Sequence, residues 1–299
     1  MVKLGEGSTI KDTTPSNTSI LFNKILSRTF RTVILLIVAA LFLIPFAWIL
    51  GSSFRPHSAI FQYSYPLTIH TFIPIDFTLS NFIDILFKKN FLRYLGNSFF
   101  VAGIMVAASW YINSIAAYAI ERIDFYGDKF VYGVVLATML VPLQAVMVPL
   151  YILVQNLGLH NTLWVLIVPW ITEPFAVFLL VQHLKDIPRD LTDAAAIDGC
   201  GFWGTYWNVI LPNIKRSLVT ISLMKFIWAW NSFTWPLITI NSESKFVIQV
   251  AIAAMNTRDT TYWGYTFAGT MLATVPVLIV FILAQRYFVE GSALTGMKT

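Results

Sequence analysis

The chain has 299 residues, of which 57% are hydrophobic and 12% charged, about half the charged share of an ordinary soluble domain. Twenty Lys+Arg against fifteen Asp+Glu leave a net charge of +5, but the basic residues are scattered among apolar runs and form no stripe for nucleic acid. The single cysteine, Cys200, excludes an internal disulfide and a multi-cysteine metal site.

Residues 1–30 are polar and rich in Ser, Thr and Asn, which predicts a cytoplasmic tail that starts flexible and ends in an interfacial helix over LFNKILSRTF, 21–30. A first span is expected at 31–53. Its 23-residue charge-free run, 32–54, exceeds the h-region of a signal peptide, and further apolar runs follow it. Residues 54–92, with Pro56, Pro66 and Pro74 among aromatics, read as an extracytoplasmic cap packed beside the membrane.

Five more spans are expected near 93–119, 130–153, 162–184, 215–239 and 263–286, each close to the roughly 20 residues that cross hydrocarbon. The uncharged run 130–172 is divided at QNLGLHN, 155–161, where Gly158, amide side chains and His160 suit a turn in water. The fold class is therefore an all-α membrane protein with six transmembrane helices, five of them in a unit spanning 93–286, and a tail at 287–299. Thirteen basic residues fall on the side that holds both termini and six on the other, which places both termini in the cytoplasm. Trp48, Trp110, Trp164, Trp170, Trp235 and Trp263 are expected mostly as interfacial anchors.

The longest inner connection, KDIPRDLTDAAAIDGCGFWGTYWNVILPNIKR at 185–216, is written as two helices. Pro188 suits a first turn, Asp190 and Asp193 favour the positive end of a helix dipole, and Gly199 is a stop. A second helix is expected from about 202 to 211, ended by Pro212. A slim Ala-rich helix at the end of a bundle fits a groove on another protein; one lying on lipid headgroups fits its composition equally well.

The segment DAAAIDGCGFWGTYWNVILP, 193–212, resembles the EAA loop of binding-protein-dependent ABC import permeases. FIWAWNSFTWPLITI at 226–240 is similar to the fifth-span pattern of the maltose-type carbohydrate branch, and RYFVEGSALTGMKT at 286–299 to its C-terminal tail. FLRYLGNSF at 91–99 and AAYAIERIDFYG at 116–127 fit its second span and following loop. Departures are Asp193 where Glu is commoner, Cys200 where Ala is common, and Glu290 in a tail usually basic.

The resemblance implies a type I ABC importer permease fold in a bacterial or archaeal cytoplasmic membrane. It implies a heterodimer with a second, similar permease, docking on a dimer of ATP-binding subunits, and substrate delivery by an extracytoplasmic solute-binding protein. Asp193, Ala194, Ala195, Asp198 and Gly199 would couple the chain to the ATPase, with alternating access of the spans. The substrate would be a sugar, oligosaccharide or polyol. The chain would be no enzyme and hold no cofactor, Mg-ATP being used by the partner subunit.

Gly199, Gly201 and Gly204 satisfy G-x-G-x-x-G, but no strand precedes them, so glycine flexibility between helices is the better account. His57, His70, His160 and His183 have no acid or Cys at ligand spacing, so no metal site is expected. Glu173 and Lys225 both fall inside expected spans, where ionisable groups are costly. At about 1.5 Å per residue they lie roughly 18 and 15 Å from the inner surface, a depth that suits an interhelical ion pair; a place on the translocation path is the alternative. Trp228, Trp230, Asn231, Phe233 and Trp235 offer stacking faces and an amide to a sugar, or packing against the partner permease. A proton-coupled carrier using Glu173 as relay is the competing function, but it leaves the 193–212 loop unexplained.

Overall fold

The structure, a computed structural model, describes residues 17–256 and 262–295, without the side chains of 17–25 and 286–295. All regular elements among these residues are helical. Helix α1, Asn17–Ser53, absorbs the LFNKILSRTF stretch, which is therefore the start of a long helix and not a separate interfacial one. Its side chains Leu35, Leu36, Leu41 and Phe42 are exposed, as expected of a helix with hydrocarbon around it. Near its end Trp48 meets Phe267 edge-on at 5.2 Å, joining α1 to α12, Trp263–Thr295.

The segment after α1 folds around a buried cation. Arg55 donates to the carbonyls of Ile60 at 3.4 Å, of Thr71 at 2.8 Å and of His70. Asn81, in the short helix α2, Ser80–Ile83, returns to the carbonyls of Ser53 and Arg55 at 2.9 and 2.8 Å. Phe54 stacks on Phe77 at 5.1 Å. Burial pushes the guanidinium pKa down, and the three carbonyls supply the partners that a buried charge requires.

Helix α3, Phe91–Arg122, is the central element, packed against the helices at Pro174–Lys185 and Leu211–Trp230. Its buried face is rich in small residues, Ser98, Ala102, Ser109, Ser114 and Ala117, which permit the close helix approach found in membrane bundles.

The straight span expected at 130–153 is instead two helices, α4, Asp128–Thr138, and α5, Leu143–Asn156, bent by 101°. The break lies at Pro142, whose ψ of 136° is extended; proline supplies no amide to continue the ladder and disfavours helix in the residue before it. The turn at 155–161 carries Gly158 and Asn161 at φ 68° and 55°. The next span is also broken: one-turn 3-10 segments at Leu163–Leu166 and Val168–Trp170 precede α6, Pro174–Lys185, with a bend of 40°.

Helix α7, Asp190–Ile197, is followed by α8, Phe202–Thr205, a π-turn at Tyr206–Ile210, and α9, Leu211–Trp230. Pro212 does not end the helix as expected. The wider π-turn shifts the hydrogen-bond register just before it, so Pro212 sits in the first turn of α9, where a missing amide is tolerated. Asn213 Nδ2 donates to Val209 O at 2.7 Å, satisfying a carbonyl at this join. The expected fifth span breaks at Asn231–Phe233 and resumes as α10, Thr234–Thr239, before α11, Ile248–Ala254.

Among the described residues three helical stretches are long and apolar enough to cross a membrane, Leu26–Ser53, Phe91–Arg122 and Trp263–Gln285, and each bent pair counted as one span makes five. Helix α9, carrying Lys215, Arg216 and Lys225, lies outside this count by composition. The 54–90 segment and the 185–210 loop lie at opposite ends of α3: Asn81 and Tyr94 belong to the first end, and Arg122, donating to Leu184 O and Ile187 O, to the second.

Candidate functional site

Two regions gather the residues singled out from the sequence. The first is the α7 loop. Pro188 stands just before the helix rather than in its first turn, and the dipole is met by Asp190 and Asp193. Gly199 ends the helix at φ 83°, with its amide on Ala196 O at 3.1 Å and the Cys200 amide on Ala195 O at 2.9 Å. Two such bonds around a left-handed glycine form a Schellman motif, which fixes the exit direction of the chain. Of the five loop residues, Ala195 is buried, while Asp193, Ala194, Asp198 and Gly199 are exposed beside Ile197, which is 87% exposed.

Beneath α7 the aromatic run FWGTYW forms a wedge. Phe202 lies on Tyr118 at 4.8 Å, and the hydroxyl of buried Tyr206 is hydrogen-bonded to Ser114 Oγ at 2.7 Å. Burial pushes the Tyr206 phenol pKa up, so it remains a neutral hydroxyl tied to α3. Arg189 donates to Glu121 O at 3.2 Å. With the two bonds from Arg122, this fixes the N-terminal side of the loop to α3, while Phe202 on Tyr118 and Tyr206 on Ser114 hold the side after α7. Gly204 fits against Cys200, where an added Cβ would stand 3.3 Å from the Cys200 Cβ. Gly201 has extended backbone, ψ −178°. The three glycines thus serve two helix ends and one close contact.

The second region is a cleft of about 500 Å³ between α5, the Trp170 turn and the α9–α10 break, lined by Gln144, Trp170, Trp228, Asn231, Phe233 and Trp235 among others. Trp170 holds the aromatic wall together, 5.4 Å from Trp228 and edge-on to Trp235 at 5.8 Å. Trp235 is buried, with its indole N–H on Val165 O at 2.9 Å. Neither Trp170 nor Trp235 is therefore the interfacial anchor expected from sequence. Trp230 is also separate from the others: it is 1% exposed, donates to Ala273 O at 3.0 Å and stacks on Phe226 at 5.4 Å. Two residues along a helix turn a side chain by about 200°, so Trp228 and Trp230 face opposite ways.

Behind the cleft, Lys225 Nζ lies 3.4 Å from Glu173 Oε2, with side-chain exposures of 4% and 27%, and 5.1 Å from the Trp228 ring centre. Glu173 is the residue before α6, at the bend. Its amide donates to Asn113 Oδ1 at 3.1 Å, and Asn113 Nδ2 donates to Ser109 Oγ at 2.6 Å. The pair therefore joins α9 to the break of the bent span, with α3 behind. Sequence reasoning missed Trp170, Gln144 and Asn113 as members of this region. The available signals were amides within apolar runs and the proximity of Trp170 to Pro174.

A family model described as the binding-protein-dependent transport system inner membrane component matches residues 112–291, more than half of the chain. The chain belongs to this family. The matched segment takes in the α7 loop, the Glu173–Lys225 pair and the cleft. The arabinooligosaccharides transport system permease protein AraQ of Halalkalibacterium halodurans is 32% identical over 262 residues, 87% of this chain and 93% of that protein. The lactose transport system permease protein LacG of Rhizobium radiobacter is 32% identical over 195 residues, 65% of this chain and 71% of that one. Among solved structures, a chain of a bacterial ABC transporter involved in the import of the acidic polysaccharide alginate superposes with a TM-score of 0.78 at 22% identity, covering 92% of this chain and 99% of that one. This inner membrane component thus shares its fold with an ABC transporter chain.

Proposed function

We propose that the chain is the permease subunit of an ATP-driven importer that moves a carbohydrate across the cytoplasmic membrane of a bacterium or archaeon. The observation that carries this reading is α7, a capped helix with an exposed face, held to the central helix of an apolar bundle by Arg122 and Arg189 before it and by Tyr206 after it, and lying inside the matched family region. A rigid protruding element tied to the bundle core can pass a push from a partner into the spans.

In the full reading α9 also crosses the membrane, as the fifth of six spans, and both termini lie in the cytoplasm. A second permease completes the path, a dimer of ATP-binding subunits receives α7 and consumes Mg-ATP, and an extracytoplasmic solute-binding protein delivers substrate. Asp193, Ala194, Ala195, Asp198 and Gly199 form the coupling element. Relatives named for arabinooligosaccharides and lactose, together with the aromatic and amide lining of the cleft, support a saccharide as substrate. Aromatic faces stack on the apolar faces of sugar rings, and amides serve their hydroxyls.

The test is co-purification with the ATP-binding subunit and uptake in vesicles for wild type, Gly199→Pro and Asp193→Lys. Loss of both subunit retention and uptake in the variants, at normal membrane insertion, is expected. ATP-driven uptake that survives both substitutions would remove α7 from the mechanism.

A further inference from the structure

The lining of the aromatic cleft contains no ionisable side chain among the described residues. Two charged groups stand directly behind it. Lys225 is almost fully buried, its ammonium 3.4 Å from Glu173 Oε2 and 5.1 Å from the ring of Trp228, a wall of the cleft. Glu173 follows Trp170, part of the same wall, by three residues and is partly open. The pair therefore sits where Lys225, left alone, would project an uncompensated charge toward the cleft through the Trp228 ring, and Glu173, left alone, an opposite one beside the Trp170 turn.

Two polar atoms at this place lack hydrogen-bond partners among the described residues, Trp170 Nε1 and Glu173 Oε2. A solved transporter chain of the same fold comes from an importer of an acidic polysaccharide, so this architecture does not itself reject negative charge. Local charges must decide which saccharides are favoured. Here the one buried cation behind the cleft is already neutralised, and a bound carboxylate would lose hydration without gaining a counter-charge.

We propose that the Glu173–Lys225 pair sets the charge selectivity of the cleft, which takes uncharged saccharides and disfavours those bearing carboxylates. This rests on the carbohydrate-importer reading above. Glu173 is the specificity-determining member, because it cancels the ammonium that would otherwise attract an acidic sugar. Lys225 also positions Trp228 through its contact with the ring face.

The experiment uses the complete purified importer without its binding protein. Saturation-transfer NMR titrations use millimolar neutral tri- and tetrasaccharides, arabinotriose and maltotriose among them, and oligogalacturonides of matched length. Uptake of the same panel is measured in proteoliposomes with the binding protein present. In wild type the best neutral probe is expected to bind at least 10-fold more tightly than its acidic counterpart. Glu173→Gln is expected to shift that ratio at least 10-fold toward the acidic probe, and Lys225→Met to shift it the other way. The double variant should return the ratio to within about 3-fold of wild type. Misfolding lowers binding of both probes together and leaves the ratio where it was, so the ratio separates specificity from structure. An unchanged ratio in both well-assembled single variants, or a wild type that prefers the oligogalacturonide, overturns the proposal. If the importer moves and binds no saccharide in the panel, the carbohydrate reading itself fails; uptake with an unmoved ratio removes only the charge filter.

Discussion

Gly199 and Arg55 show how much single positions carry. At φ 83° with no atom within 4 Å of an added Cβ, Gly199 is required by backbone conformation and not by space. Gly199→Ala should cost about 1 kcal/mol and Gly199→Asn less, since Asn tolerates the left-handed region. Thermal unfolding of the detergent-solubilised complex ranks the two, and equal loss in both would mean that packing rather than φ sets the requirement. Arg55 is different, because its three carbonyl acceptors depend on one charged donor group. Arg55→Met keeps the bulk and orphans those carbonyls, so a loss of about 2–4 kcal/mol is expected. The same unfolding measurement checks it. Gly199 was legible from sequence as a helix stop after Asp198. Arg55 was not, since its partners are main-chain atoms up to 16 residues away, which no side-chain pattern announces.

At the scale of elements, the loop between α6 and α9 acts as a unit because Arg122 and Arg189 hold its start, and Tyr206 its later part, to α3. The proposed docking of α7 then requires this closure to transmit force. Arg122→Ala frees Leu184 O and Ile187 O without touching α7, so the ATP-binding subunit should still co-purify while sugar moved per ATP falls severalfold. Normal transport per ATP in that variant would place the transmission elsewhere. Elements with a local signature were readable: the apolar length of α1, α3 and α12, the dipole-matched start of α7, and the turn at 155–161. Those shaped by proline in context were not. Pro142 breaks a span by 101°, whereas Pro212 sits harmlessly in a first turn. The difference lies in the preceding π-turn, a register shift that sequence periodicity does not encode.

Over the whole molecule, the α7 loop and the Arg55-centred cap stand at opposite ends of α3, which makes sidedness testable with one atom. Cys200 is the sole cysteine and a free thiol next to Gly199. A membrane-impermeant maleimide should label it in inside-out vesicles and not in intact cells, and bound ATP-binding subunits should protect it. Labelling from outside the cell would reverse the proposed orientation. The sequence by itself determined the helical membrane class, the family and the existence of the loop, because hydropathy, charge asymmetry and short motifs are local properties of the chain. Only the tertiary structure decided that Trp228 and Trp235 share a wall with Trp170 while Trp230 faces away. It likewise set the 3.4 Å approach of Lys225 to Glu173, 52 positions apart in the chain. Such contacts depend on helix rotation and on where a span bends, and both are fixed by packing of one element against another.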